Sequence, residues 1–356
     1  MKLYNKISKE ELINRLYAEP FERVTLSFYR YVILDDPEKM RHQLFKQWSS
    51  LNVLGRIYLA KEGINAQLSL PEHHLDQFKK ELYSLEEFSD VPLKIAVDND
   101  GKSFFKLVIK VRKKIVADGL DDYSYDVTNV GNHLQAAEFH RHIGGDDTIV
   151  IDMRNHYEFE VGHFEGAINL DVDTFRDALP KVVDEFADQR DKKFLLYCTG
   201  GIRCEKASAY MKHHGFEDVN QLHGGIIDYG HMLKRSNEPS KYIGKNFVFD
   251  DRLGERITEE IISVCHQCGQ TCDDHVNCAN DGCHLLFIQC DECKLRYNGC
   301  CTIDCKEFIA LPEEEQRELR KGKPARGTHK SYNKGRVRPK LIDVTQPLND
   351  QLSKSE

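Results

Sequence analysis

No apolar run in this chain approaches the roughly eighteen residues that a membrane-spanning helix needs. No membrane partner is therefore expected. The start, Met1 to Lys6, has no apolar core behind it, so no secretory signal is expected and the expected location is cytoplasmic. Cysteine is missing from the first 197 residues. Ten of the twelve cysteines crowd between Cys265 and Cys305, which is not the spread of a small disulfide-stapled secreted domain. In a reducing compartment such crowding points to metal or redox chemistry. No stretch carries a flavin, haem or nicotinamide signature, and no two-histidine, one-carboxylate set is evident.

What is present is a soluble globular composition, 40% hydrophobic and 30% charged, in a chain of 356 residues. That length implies two or three domains. Net charge is −8, which as an average argues against a nucleic-acid partner. The average conceals a basic arm. From Arg317 to Lys340 ten Lys and Arg face the single acid Glu318, a local balance of +9 that leaves −17 for the rest. A basic arm on an acidic body suits an RNA-binding extension, and equally a solubilising tail. Residues 311–356 are charged and repeat-free, and disorder is expected there.

Residues 1–100 predict an α+β unit. Val24–Ile33 is rich in strand formers, and Met40, Leu44 and Trp48 recur at helical spacing within 37–51. Strands at 55–60 and 64–70 flank Lys61-Glu62-Gly63, a hairpin signal. A second helix follows Pro71, with Leu75, Phe78 and Leu82 on its inner face, and 92–97 is a last strand. The order β-α-β-β-α-β is that of the ferredoxin-like fold. Residues 101–130 read as a connector holding one strand, 104–116. Its cluster of Lys110, Arg112, Lys113 and Lys114 suits a solvated strand edge better than a phosphate contact.

Residues 131–240 alternate strand and helix, which implies a parallel sheet with sites at the strands' carboxyl ends. The chemistry concentrates at one of those ends. The apolar run Lys193–Tyr197 leads into Cys198-Thr199-Gly200-Gly201-Ile202-Arg203, and a helix is predicted from Gly201 to His214. Amides of Thr199, Gly200, Gly201 and Ile202 converge on such a loop, and the helix dipole adds partial positive charge. Both favour the Cys198 thiolate, the nucleophilic form. Arg203 adds a fixed cation that can steady a bound anion. Cys204 is placed to resolve an oxidised or persulfidated Cys198, or simply to pack beside Ala207 and Met211.

Four residues separate Cys198 from Arg203, one fewer than in cysteine phosphatases, and the smaller ring suits a persulfide sulfur. This segment resembles a rhodanese (sulfurtransferase) domain through Asp152-x-Arg154, the run from Gly162-His163 to Asn169, and Cys198-x4-Arg203. Asp152, Arg154 and His163 would hold the fold or shape the pocket rim. In 241–310, Cys265-x2-Cys268 and Cys290-x2-Cys293 are separated by 21 residues, close to a zinc-ribbon spacing. Cys272, Cys278, Cys283, Cys300, Cys301 and Cys305 remain for a second site. Structural zinc is the leading reading, against packed free thiols or an Fe–S cluster.

Almost the whole chain resembles the bacterial oxygen-dependent tRNA uridine hydroxylases. The matching phrases include Lys61–Gln67, Asp152–Glu158, Tyr197–Lys206 and Gly244–Asp250. The resemblance implies an acylphosphatase-like domain, a rhodanese domain and a cysteine-rich segment. It also implies conversion of the wobble uridine to 5-hydroxyuridine with molecular oxygen as co-substrate, tRNA bound by its anticodon loop, and Cys198 as the catalytic cysteine. Two alternatives stand beside it. One is a sulfurtransferase carrying a Cys198 persulfide to a small acceptor or tRNA base, and the other a non-enzymatic zinc-bearing interaction protein.

Overall fold

The computed structural model describes residues 7–98, 101–121, 124–236 and 238–321. The first unit holds helix α1 (Lys9–Tyr17), strand β1 (Arg23–Tyr31), α2 (Pro37–Ser50), β2 (Leu54–Ala60), β3 (Gly63–Pro71), α3 (Leu75–Tyr83), β4 (Lys94–Ile95) and β5 (Leu107–Val111). Asp36 caps α2 by accepting from the Lys39 amide, and Pro37, needing no partner for a missing N–H, takes the first turn.

The sheet order β4-β1-β3-β2 is the ferredoxin-like one that the sequence predicts, with β5 added parallel to β2 at the edge. The strand read as part of a connector therefore belongs to this first unit, which runs past residue 100. Strand alternation sorts the sheet's two faces. Leu26 and Phe28, Ile57 and Leu59, and Ile64, Ala66 and Leu68 bury against Leu44, Trp48, Phe78 and Leu82 of the helices. Thr25, Ser27, Tyr29, Arg56, Tyr58, Asn65 and Gln67 point the other way.

The second unit comprises β6 (Asn132–Leu134), α4 (Ala136–His142), β7 (Thr148–Asp152), α5 (His156–Val161), β8 (Gly162–Phe164), β9 (Ile168–Asn169), α6 (Phe175–Glu185), β10 (Lys193–Tyr197), α7 (Ile202–His213), β11 (Asp218–Leu222) and α8 (Gly225–Ser236). Strands β6-β11-β10-β7-β9 form the expected parallel sheet. Cys204, Ala207 and Met211 share the apolar face of α7 and are fully buried beneath it.

The chain past residue 240 does not break away. Strand β12 (Tyr242–Asn246) pairs antiparallel with β8 and with β13 (Glu255–Arg256). The hairpin β14 (His275–Asn277) and β15 (Leu286–Ile288) then leads to α9 (Asp291–Tyr297) and α10 (Ile303–Ala310). Part of the segment expected to be disordered is a helix, α11 (Glu313–Arg320), whose acidic first turn and basic last turn complement its dipole. The basic arm lies outside the described residues from position 322 onward.

Candidate active site

Cys198 stands at the carboxyl end of β10, and its loop is fixed from both sides. The Ile226 amide donates to the Cys198 carbonyl at 3.1 Å and the Ile227 amide to the Thr199 carbonyl at 3.2 Å. Gly225 makes this approach possible, because a Cβ there would sit 2.5 Å from the Cys198 carbonyl oxygen. With loop carbonyls held outward by α8, the amides face inward. The Gly201 N–H donates to Cys198 Sγ at 3.1 Å. Gly201 has φ +99°, and a Cβ would lie 2.9 Å from the Tyr29 hydroxyl, so both conformation and space call for glycine.

Burial pushes the Cys198 thiol up, but a hydrogen bond from Cys204, the Arg203 cation and the amides of Arg203 and Cys204 outweigh it, bringing the pKa to about 6. Cys204 is driven the other way by burial and by the neighbouring Cys198, and stays a protonated donor. Cys198 is 1% exposed yet lines a cavity of about 620 Å³, so a reactant reaches it through that cavity.

Arg203 lines the cavity, and its guanidinium is clamped by the fully buried Glu158, Nη1 to Oε2 at 2.6 Å and Nη2 to Oε1 at 2.8 Å. Nη2 also donates to Thr199 Oγ1 at 3.2 Å. Arg203 thus shapes the loop and polarises the thiol, while its own charge is largely spent on Glu158. Glu158 is the functional residue missing from the sequence reading. Its signal was present: with Asn155 it forms a capping box that opens α5.

The remaining predicted residues divide. Thr199, Gly200, Ile202 and Arg203 line the cavity with Cys198; Asp152, Arg154, His163 and Cys204 do not. Asp152 and Arg154 form a fully buried bidentate pair, Nη2 to Oδ2 at 2.7 Å, and Arg154 also donates to the Gly162 carbonyl. They tie β7 to the start of β8. His163 stacks on Phe159 at 3.8 Å and engages its carbonyl oxygen. All three hold the fold rather than the rim.

The other wall of the cavity comes from the first unit. Tyr29, Arg56, Tyr58, Asn65 and Gln67 of the outward sheet face, with Lys94, meet the cysteine loop across it. Tyr29 donates to Glu205 at 2.9 Å and Tyr31 to the Ile202 carbonyl at 3.3 Å, so the sheet is bonded to the start of α7. The third segment contributes Phe249, Asp250, Arg252 and Glu255. Three parts of the chain build one site.

The cysteines past residue 264 fall into two groups. Cys265, Cys268, Cys290 and Cys293 have their sulfurs within 4.8 Å of one another, and so do Cys278, Cys283, Cys301 and Cys305. The Cys268–Cys290 and Cys283–Cys301 separations are 3.6 and 3.7 Å. Sulfurs on a tetrahedral zinc, each at about 2.3 Å, lie at nearly this spacing. The first set is the one the C-x2-C pairs predict; the second leaves Cys272 and Cys300 aside. Both donor sets fit zinc.

Three family models match consecutive stretches: a UPF0176 acylphosphatase-like domain at residues 23–115, a rhodanese-like domain at 135–231 and a rhodanese C-terminal domain at 243–306. A tRNA uridine(34) hydroxylase of Leptospira interrogans is 55% identical over 96% of this chain and 93% of its own length. One of Escherichia fergusonii is 53% identical over 94% and 96%. Among solved structures, a rhodanese-like domain from Anabaena is 19% identical, covering 30% of this chain and 84% of its own, with a TM-score of 0.24. At that identity and coverage against its curated relatives, the chain belongs to the tRNA uridine(34) hydroxylase family.

Proposed function

We propose that this protein hydroxylates the wobble uridine of tRNA at C5, with dioxygen as the oxygen source and Cys198 as the catalytic nucleophile. The near full-length identity to proteins named for that reaction carries the reading. The cavity agrees with it: about 620 Å³ with an aromatic and amide wall accommodates a base turned out of its strand. An anticodon loop presents such bases at little unstacking cost.

In this reading Cys198 Sγ, ionised near neutrality, adds to C6 of the uracil and makes C5 an enolate-like carbon, the atom that meets dioxygen. Dividing the reaction this way lowers the barrier of each part. Arg203, held by Glu158, keeps the loop amides aimed at the sulfur. Lys106, Lys110 and Arg112 are exposed along the outer edge of the first sheet, with Arg56 beside them in the cavity wall. Lys110 is made less basic by partial burial and then by Arg112, Arg56 and Lys106. Such clustered positive charge suits the phosphates that flank the flipped base. The two cysteine clusters would each hold a zinc ion that braces the third segment.

Nucleoside analysis of tRNA from a strain lacking the gene tests the function. Loss of 5-hydroxyuridine, restored by the wild-type gene and not by Cys198→Ala, is expected. The same amide ring also favours a second reading, a Cys198 persulfide that moves sulfur. Loss of a thiouridine in place of 5-hydroxyuridine would establish that reading and overturn the first.

A further inference from the structure

With Arg203 neutralised, the site needs another cation wherever the substrate becomes anionic. Lys94, on the edge strand β4, lines the same cavity as Cys198 and is only 9% exposed. Its ammonium lies over the Tyr29 ring, 4.6 Å from the centroid. No hydrogen bond or ion pair holds it among the described residues, whereas the other buried cations of the site are paired. Arg203 is clamped by Glu158, and Arg252 by Asp250 and Glu255. A fold seldom buries an ammonium with nothing but a ring face against it, because the charge loses its water for little return. The arrangement is that of a cation kept for a ligand.

We infer that Lys94 is a catalytic residue that binds the uracil O4 and stabilises the enolate formed when Cys198 adds to C6. The inference rests on the covalent reading of Cys198 given above. In the step, the thiolate lone pair forms the S–C6 bond. The C5=C6 electron pair moves through C4 onto O4, and the Lys94 ammonium donates a hydrogen bond to that oxygen. No electrons are gained or lost, and reversal expels the thiolate. The Cys198 sulfur and the Lys94 nitrogen reach the base from opposite walls, one from the second unit and one from the first. The docked units therefore present the reactive pair on one cavity. The neighbouring anions do not bond Lys94: Glu205 is occupied by Tyr29, His133 and Gln221, while Asp228 and the Cys198 thiolate act on Lys94 through space without an ion pair.

Addition at C6 makes C5 basic. A proton from water makes it tetrahedral, loss of its tritium to water returns the enolate, and expulsion of the thiolate restores the uracil. The step can therefore be read without oxygen. Full-length protein is incubated under argon with tRNA tritiated at C5 of uridine 34, and tritium released to water is counted. Wild type should release it and Cys198→Ala should not. Lys94→Met, which keeps the stem over Tyr29, should slow release by about 10²-fold at saturating tRNA, the usual cost of losing one oxyanion donor. Lys94→Arg should recover part of the rate, and tRNA affinity should change little in either variant. Iodoacetamide labelling of Cys198 verifies that both variants keep the loop. Should Met disturb it, Lys94→Gln is read in its place. Release at the wild-type rate in a folded Lys94 variant overturns the role of Lys94 and leaves the covalent reading standing. No release by wild type, or undiminished release by Cys198→Ala, overturns the covalent reading itself.

Discussion

A buried thiol that ionises near 6 at the wall of a cavity has a measurable signature. Cys198 sits below its ordinary value because the Cys204 hydrogen bond, Arg203 and the loop amides together exceed the opposing effect of burial. The thiolate therefore predominates above pH 6, and acidification below it restores the unreactive thiol. Labelling by iodoacetamide should rise with pH through a midpoint near 6 and level off by pH 8. A midpoint at the ordinary thiol value would remove the basis for nucleophilic catalysis. Glu158→Gln should move that midpoint lower, since Arg203 keeps its charge and loses the carboxylate that offsets it. The same change should cost roughly 3 kcal/mol or more of folding stability in denaturant titration, because a buried guanidinium loses its counter-ion.

Between elements, the two walls of the cavity are joined by a buried ionic cluster. Lys206 of α7, 1% exposed, bonds Asp118 at 2.7 Å and Glu62 of the β2–β3 turn at 2.9 Å, while Lys114 reaches Asp118 at 2.9 Å. Lys206→Met leaves Asp118 buried with only one cation. It should lower stability by about 3 kcal/mol and raise hydrogen exchange in the β2–β3 turn and in 114–120, with β7 and β10 unchanged. Uniform loss of protection across both sheets would show instead that the cluster supports the whole molecule. The elements themselves were legible from local pattern: the β-α-β-β-α-β order, the strand–loop–helix around Cys198, and the apolar face of α7. What their outward faces meet was not. Alternation in β1 says that Thr25, Ser27 and Tyr29 point away from their own core, but their facing the cysteine loop is decided by docking across more than a hundred residues of chain. Strand β5 was missed as a sheet member for the same reason: its partner β2 lies some fifty residues earlier. Glu158 reads in sequence as the capping-box acid that opens α5 and Lys94 as an ordinary surface charge, and only tertiary packing reveals one as a clamp and the other as unpaired.

At the scale of the whole molecule, two interactions with outside species follow from charge and donor chemistry. The sulfur geometry of the two clusters fits one zinc ion in each, and on that proposal metal analysis of protein purified without chelator should find about two per chain. Cys268→Ser should reduce that to about one and destabilise the third segment, since metal-binding energy is folding energy there. The tRNA interaction should register in its salt dependence. Arg56, Lys106, Lys110 and Arg112 follow one sheet edge to the cavity mouth, and each phosphate they neutralise releases condensed counter-ions. Four such contacts predict a slope of log affinity against log salt near −3, at about −0.7 to −0.9 per contact. The double change Lys110→Ala and Arg112→Ala should flatten that slope by about 1.5 while leaving turnover at saturating tRNA within a factor of two or so. These side chains lie on the approach to the cavity and not beside the reacting base. Equal loss of turnover and affinity would place them in the chemistry instead, and an unchanged slope would move the phosphate path away from this edge.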